Sequence, residues 1–274
     1  MRIAIVQSRP AFGDPDSNLE GLLGAVASVN ADFYVLPELC LAGYDFEDRP
    51  EAARFAERPD SPRLDSLARA ATDRGAGISF GFAEAAEGGR LFNSALLSLP
   101  DGRRRVYRKT HLFAREKLLF EPGDTGFFVE EFRGLRVGMA ICFDWIFPES
   151  FRTLALLGAD LIAHNANLVL PWCQRADFAR AVENRVYVAT ANRVGREERG
   201  GRSLSFTGGS VLVAPDGSSL LELPVDEPAV RVAEIDPLRA RDKRLNAWND
   251  LLADRRPEFY AARRSPEPTE DTGA

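Results

Sequence analysis

The chain has 274 residues and no apolar run approaching the roughly 18 needed for a membrane-crossing helix, so none is expected. Histidine is scarce. His111 and His164 are the only two, too few for a His-rich metal centre. The three cysteines, Cys40, Cys142 and Cys173, are an odd and sparse set without a C-x-x-C pair. Neither a disulfide framework nor a redox dithiol is therefore expected. The opening "MRIAIVQSRP" is too short an apolar run for a signal peptide and reads as a first strand. With reduced thiols, this points to the cytoplasm. Positive charge is not in excess: a net charge of −6 argues against nucleic acid or an anionic membrane as partner. No internal repeat and no linker divides the chain.

What is present is an ordinary core-forming composition, 45% hydrophobic and 28% charged. Strand-like runs recur at 2–7, 32–38, 77–84, 91–100, 105–109, 126–132, 135–141, 159–166, 186–195, 209–215 and 229–236. Helical periodicity marks 16–30, 61–74, 148–157 and 174–185. Asp101-Gly102 and Asp216-Gly217 lie between strand-like runs and predict hairpin turns. Interspersed hairpins favour a mixed α/β layer structure over an all-parallel sheet. One domain is expected over 1–263. The polar, acidic, Pro-containing end predicts a mobile tail over 264–274.

The stretch "GMAICFDWIFPES" (138–150) puts Cys142 where an apolar run stops. Burial statistics alone favour a buried hydrophobe there. The context offers a second reading. A strand turning tightly into a helix can hold a nucleophile out on the turn. The Phe143 N–H would then face an oxyanion, and the helix opening near Pro148 would favour thiolate. A thiol nucleophile needs a proton acceptor, and neither histidine has a spacing that identifies a dyad. Two other apolar runs end in charge: "DFYVLPEL" in Glu38 and "RVYRKT" in Lys109. Taken singly, each reads as a solvated strand-end charge. A carboxylate behind a buried strand needs a cationic partner, which Lys109 can supply.

"LPELCLAGY", "YRKTHLF" and "GMAICFDWIFPES" resemble, in order and separation, the three signature segments of the nitrilase superfamily, the carbon–nitrogen hydrolases. "REKLLFEPGD" (115–124), the opening "RIAIVQ" and "RAVENR" (180–185) fit the same pattern, so the resemblance runs to about residue 260. The likeness is greatest to the compact single-domain branch that includes thermophilic archaeal nitrilases. It implies a four-layer αββα sandwich, commonly a homodimer or larger homo-oligomer. It implies Cys142 as nucleophile, Glu38 as general base, Lys109 as the cation stabilising the tetrahedral intermediate, and Glu116 as a second glutamate orienting substrate and supporting the geometry. It further implies a reaction that passes through a cysteine thioester and needs no metal and no organic cofactor.

Tyr44, Trp145, Asn167 and Trp172 are candidates to line the substrate site. Aromatic walls suit a small, partly apolar ligand. Relatives that hydrolyse N-carbamoyl amino acids often carry arginines just after the cysteine. Here those positions read Trp145 and Ile146, with Arg175 and Arg115 the charges available elsewhere. The expected substrate is therefore a small neutral amide, with a small nitrile or an N-carbamoyl amine as alternatives. A catalytically idle scaffold of the same fold is the non-enzyme reading, and the retention of Glu38, Lys109 and Cys142 argues against it.

Overall fold

β1 (Arg2–Gln7) pairs in parallel with β2 (Phe33–Val35), and β2 with β3 (Gly77–Ala85). Antiparallel neighbours complete this first sheet: β4 (Leu91–Ser98) on β3, β5 (Arg104–Arg108) on β4, and β14 (Ala229–Glu234) on β1. A second sheet repeats the scheme. β7 (Leu135–Ile141), β8 (Leu161–Asn165) and β9 (Tyr187–Ala191) are parallel. β6 (Val129–Phe132) flanks β7 antiparallel, and β12 (Val211–Val213) with β13 (Ser219–Glu222) flanks β9. A small separate hairpin joins β10 (Arg196–Arg199) to β11 (Arg202–Ser205). These features belong to a computed structural model that describes residues 1–260.

The parallel strands are apolar on both faces because both faces are covered. Ile3, Ile5, Phe33 and Val35 of the first sheet share one cluster with Val137, Met139 and Ile141 of the second. On the outer face of the first sheet, Ala4, Val6, Tyr34, Ile78 and Phe80 meet α1 (Pro15–Ala27) and α3 (Pro62–Thr72). α5 (Pro148–Leu156) and α6 (Cys173–Asn184) cover the second. The result is the αββα sandwich expected. Each long helix of the first layer opens with a side-chain cap and a proline in its first turn: Asp14 before Pro15 and Ser61 before Pro62.

All four helices read from periodicity are present: α1, α3 and α5 are a little shorter than their apolar patterns, and α6 is shifted by one residue. Asp101-Gly102 joins β4 to β5 and Asp216-Gly217 joins β12 to β13, with both glycines at positive φ. The sequence pattern did not reveal α2 (Arg49–Phe55), α4 (Glu116–Leu119), α7 (Pro237–Arg241), β13 or the β10–β11 hairpin. The helices among these are too short to show a period. The run 32–38 contributes only three strand residues, because Pro37 cannot continue the ladder.

Met1–Asp242 forms one compact unit. Among the described residues, 243–260 belong to a second, which contains a bridge between Arg244 and Asp250 and a 3₁₀ turn at Pro257–Phe259. The tail expected over 264–274 lies outside the described residues. Among the described residues no helix is long and apolar enough to cross a membrane.

Candidate active site

Three strand ends converge. Glu38 follows β2 by three residues, Lys109 follows β5 directly, and Cys142 follows β7 directly. Glycine makes two of these placements possible. A Cβ at Gly81 would lie 2.4 Å from the Glu38 Cα, and one at Gly123 would lie 2.1 Å from the Arg108 carbonyl oxygen. The backbone behind Glu38 and Lys109 is therefore packed to contact with no room for a side chain.

Lys109 is completely buried. Its Nζ donates to Glu38 Oε1 at 2.7 Å and to Glu116 Oε1 at 2.8 Å. Asn93 Nδ2 donates to the same Glu38 oxygen at 2.7 Å. Tyr44 donates its hydroxyl to Glu116 Oε1 at 2.6 Å, and the Phe113 N–H donates to Glu116 Oε2. Glu38 Oε2 is buried and, among the described residues, has no hydrogen-bond partner.

Two carboxylates and one ammonium in a dry pocket carry a surplus negative charge. Burial raises the Glu38 carboxyl pKa above its usual value, against the pull of Lys109, and the nearby Glu116 adds to the rise. Burial alone would lower Lys109, but Glu116 and Glu38 outweigh it and hold the ammonium firmly protonated. The Cys142 thiol is raised by burial first and then by the Glu38 charge, with Lys109 pulling the other way. The thiol is thus the resting form. The thiolate expected from the helix dipole is overridden, because desolvation and a neighbouring carboxylate act at closer range than the helix end.

Cys142 itself sits at φ 39, in the left-handed region. For a non-glycine residue this costs about 1–2 kcal/mol. Asp144 holds the turn in that shape. Its Oδ2 accepts from the Ile141 N–H at 2.9 Å and from the Tyr107 hydroxyl at 2.7 Å, and its Oδ1 meets the His111 N–H and Nδ1. His164 Nε2 donates to the Cys142 carbonyl oxygen at 2.9 Å.

Beside Cys142 is a narrow cleft walled by Phe113, Phe143, Trp145, Leu168 and Val169. Asn167 also lines it. That side chain is buried, and neither its oxygen nor its nitrogen has a partner among the described residues.

Of the residues expected at the site, Glu38, Lys109, Glu116 and Tyr44 lie in one hydrogen-bonded cluster whose charges act on Cys142. Phe143, Trp145 and Asn167 line the cleft with it. Trp172 does not join them: it stands before α6, 55% exposed. Arg115 is exposed and donates to the Glu47 carbonyl, and Arg175 is exposed on α6, so neither supplies charge to the cleft. Cys40 is core, its thiol on the Gly81 carbonyl and raised by burial to about 12.

Sequence reasoning did not find Asn93, Asp144 or Glu197. A lone amide in the apolar run "LFNSALLS" was a usable signal for Asn93. Glu197 had none, since it hides in the charge run "GREERG". Buried beside Arg193, it accepts from the Tyr44 and Asp45 N–H groups and so fixes the loop that delivers Tyr44.

Residues 2–244 match the family model described as carbon-nitrogen hydrolase. The chain belongs to this family, the nitrilase superfamily. This hydrolase is 47% identical over 264 residues to a protein named nitrilase from Pyrococcus abyssi, covering 95% of this chain and 99% of that one. It is 38% identical to an (R)-stereoselective amidase from a Pseudomonas species, over 93% and 92% of the two chains. The crystal structure of an amidase from a Nesterenkonia species superposes on the hydrolase with a TM-score of 0.80 at 31% identity, covering 95% of each chain. In a mutant of that amidase, also at TM-score 0.80 and 30% identical, acrylamide has added to the active-site cysteine.

Proposed function

We propose that this hydrolase is an amidase for small neutral aliphatic amides, releasing ammonia through a thioester on Cys142. One observation carries the reading. A buried Glu38–Lys109–Glu116 cluster acts on a cysteine that shares an apolar cleft with an unpartnered carboxamide, Asn167.

The chemistry follows from the protonation states. Glu38, with its carboxyl raised by burial, is a stronger base than an exposed glutamate and has one oxygen uncommitted. It takes the Cys142 proton as sulfur attacks the amide carbon, so the thiolate forms only when substrate is present. Lys109 stays charged throughout and, with the Phe143 N–H, stabilises the developing oxyanion. Glu38 passes its proton to the departing nitrogen, and ammonia leaves. Glu38 then activates water against the thioester. Glu116 holds Lys109 in place and, through Tyr44, ties it to the neighbouring loop. The Asn167 amide is placed to pair with the polar end of a substrate whose alkyl end meets the apolar wall.

The uncharged cleft supports a neutral substrate over a carboxylate-bearing one. Nitriles are the second reading, favoured by the name of the Pyrococcus relative. The same thiolate would add to the nitrile carbon. The test is mass spectrometry of the protein with a panel of aliphatic amides and nitriles, alongside an ammonia assay. An acyl adduct on Cys142 with amides, and loss of both adduct and ammonia in Cys142→Ala, is the expected result. Full turnover by Cys142→Ala would overturn the assignment, and turnover of nitriles alone would move it to the second reading.

A further inference from the structure

His164 has no part in the steps above, yet it is fully buried against the nucleophile's turn. Its Nε2 lies 2.9 Å from the Cys142 carbonyl oxygen and its Nδ1 2.9 Å from Thr190 Oγ1. Thr190 is its partner in the β8–β9 ladder. Thr190 Oγ1 is in turn 2.7 Å from Oδ2 of Asp177 on α6, and Asp177 is also fully buried. Four groups on four elements thus form one line, ending on the peptide that joins Cys142 to Phe143.

The protons on this line can be counted. A carbonyl oxygen only accepts, so His164 Nε2 carries a hydrogen. Burial holds the imidazole down at about 4, so the ring is neutral and Nδ1 is bare. Nδ1 must then accept the Thr190 hydroxyl hydrogen. A hydroxyl has only one, so the close approach of Asp177 is a bond only if the carboxyl holds a proton and donates it to Thr190. Burial, which pushes Asp177 up to about 7, allows this.

We propose that Asp177, Thr190 and His164 are a positioning chain that aims the Cys142–Phe143 peptide at the reacting carbonyl, and that the chain works with its proton on Asp177. This rests on the reading of Cys142 as nucleophile and of the Phe143 N–H as oxyanion donor. The peptide is planar and trans, so its C=O and N–H point in opposite directions. Anchoring the Cys142 carbonyl on the helix side directs the Phe143 N–H to the opposite side. The bond to the carbonyl also polarises the amide and strengthens its N–H as a donor. Cys142 needs such an anchor, because its φ of 39 is not one that it would hold unaided.

When Asp177 loses its proton to solvent, Thr190 turns its hydrogen to the carboxylate, and Nδ1 faces an oxygen lone pair. The ring relieves this by moving its hydrogen to Nδ1, which leaves a bare Nε2 against the Cys142 carbonyl. The anchor is lost as pH rises through about 7. The groups that face the chain are Cys173 and Arg180 from α6, Cys142 and Asp144 from the turn, and Lys109 from the first sheet. α5 presents Phe151 to the imidazole, and β12 presents Val211 opposite Thr190. His164, Cys173 and Asp177 offer ligand atoms within 4.8 Å of one another. The bonds through Thr190 already satisfy Asp177 and His164 without a cation.

The test measures kcat and KM for propionamide from pH 5.5 to 8.5 in the full chain, with the ¹⁵N shifts of His164. Thr190→Val should lower kcat by about 10- to 100-fold with little change in KM, the size expected for a misaimed donor. Thr190→Ser should restore it. Asp177→Asn donates an N–H to Thr190 at every pH, so the ratio of wild-type to Asp177→Asn kcat should fall with a midpoint near 7. His164 Nδ1 should show the shift of a bare, hydrogen-bonded nitrogen below that pH and change above it in the wild type alone. A wild-type kcat in Thr190→Val, a pH-independent ratio, or a protonated Nδ1 at pH 6 would each overturn the proposal. If the wild type turns over no amide, the functional reading fails instead, and the ¹⁵N shifts still decide where the chain holds its proton.

Discussion

At the residue scale, the site depends on one lysine between two buried carboxylates. Replacing Lys109 with methionine keeps the volume but leaves Glu38 and Glu116 without their cation. Removing one partner of a buried ionic group typically costs about 3–5 kcal/mol. Lys109→Met should therefore lower the unfolding free energy by that order in urea titrations, as well as abolish turnover. A cost under about 1 kcal/mol would mean that the cluster is far wetter than its burial suggests. Glu38 and Lys109 were legible because each ends an apolar run. Their mutual distances were not, since 71 residues separate Glu38 from Lys109 in the chain. Trp172 shows the limit of such reading. An aromatic near a signature segment resembles a pocket wall in sequence, but the turn into α6 leaves it facing out.

At the element scale, the strand ends are set by close backbone contact. Gly81 lies in β3 against the Glu38 backbone, where an added methyl group would come within 2.4 Å of the Glu38 Cα. Gly81 does not have positive φ, so the demand is for space and not for conformation. Gly81→Ala should shift the Glu38 turn and drop kcat at least ~10²-fold, the scale of an ångström's misplacement in a catalytic group. Circular dichroism would check that the fold survives while an ammonia assay reads the loss. Undiminished kcat would show that the turn can move without harm. Glu116 illustrates what the pattern could not show. Its one-turn helix, α4, is too short for periodicity to detect, yet it places both carboxylate oxygens in bonds.

At the scale of the whole molecule, Glu38 and Lys109 come from one sheet and Cys142 from the other, so the site exists only where the sheets face each other. Asn165, the last residue of β8, fastens them there. Its Nδ2 donates across to the Leu36 carbonyl and the Ser79 hydroxyl. Asn165→Ala would strand these acceptors in a dry interface, at about 1–3 kcal/mol. A thermal melt should show that loss, and turnover should fall more than stability alone explains, because Leu36 leads directly to Glu38. Equal losses in a distant control such as Tyr187→Phe would argue that Asn165 acts on stability only.

The sequence by itself determined the longer helices and most strands, the lack of an apolar run long enough to cross a membrane, and the family, because periodicity, apolar run length and ordered short motifs are local properties. It also marked Glu38, Lys109 and Cys142 as exceptional, each a polar or reactive group behind a buried strand. Only the tertiary structure decided which oxygen of Glu38 is free, that burial and Glu38 raise the Cys142 thiol, that Trp172 faces away and that His164 bears on the Cys142–Phe143 peptide. Burial, desolvation and hydrogen-bond direction are products of groups brought together from distant parts of the chain, and no local pattern records them.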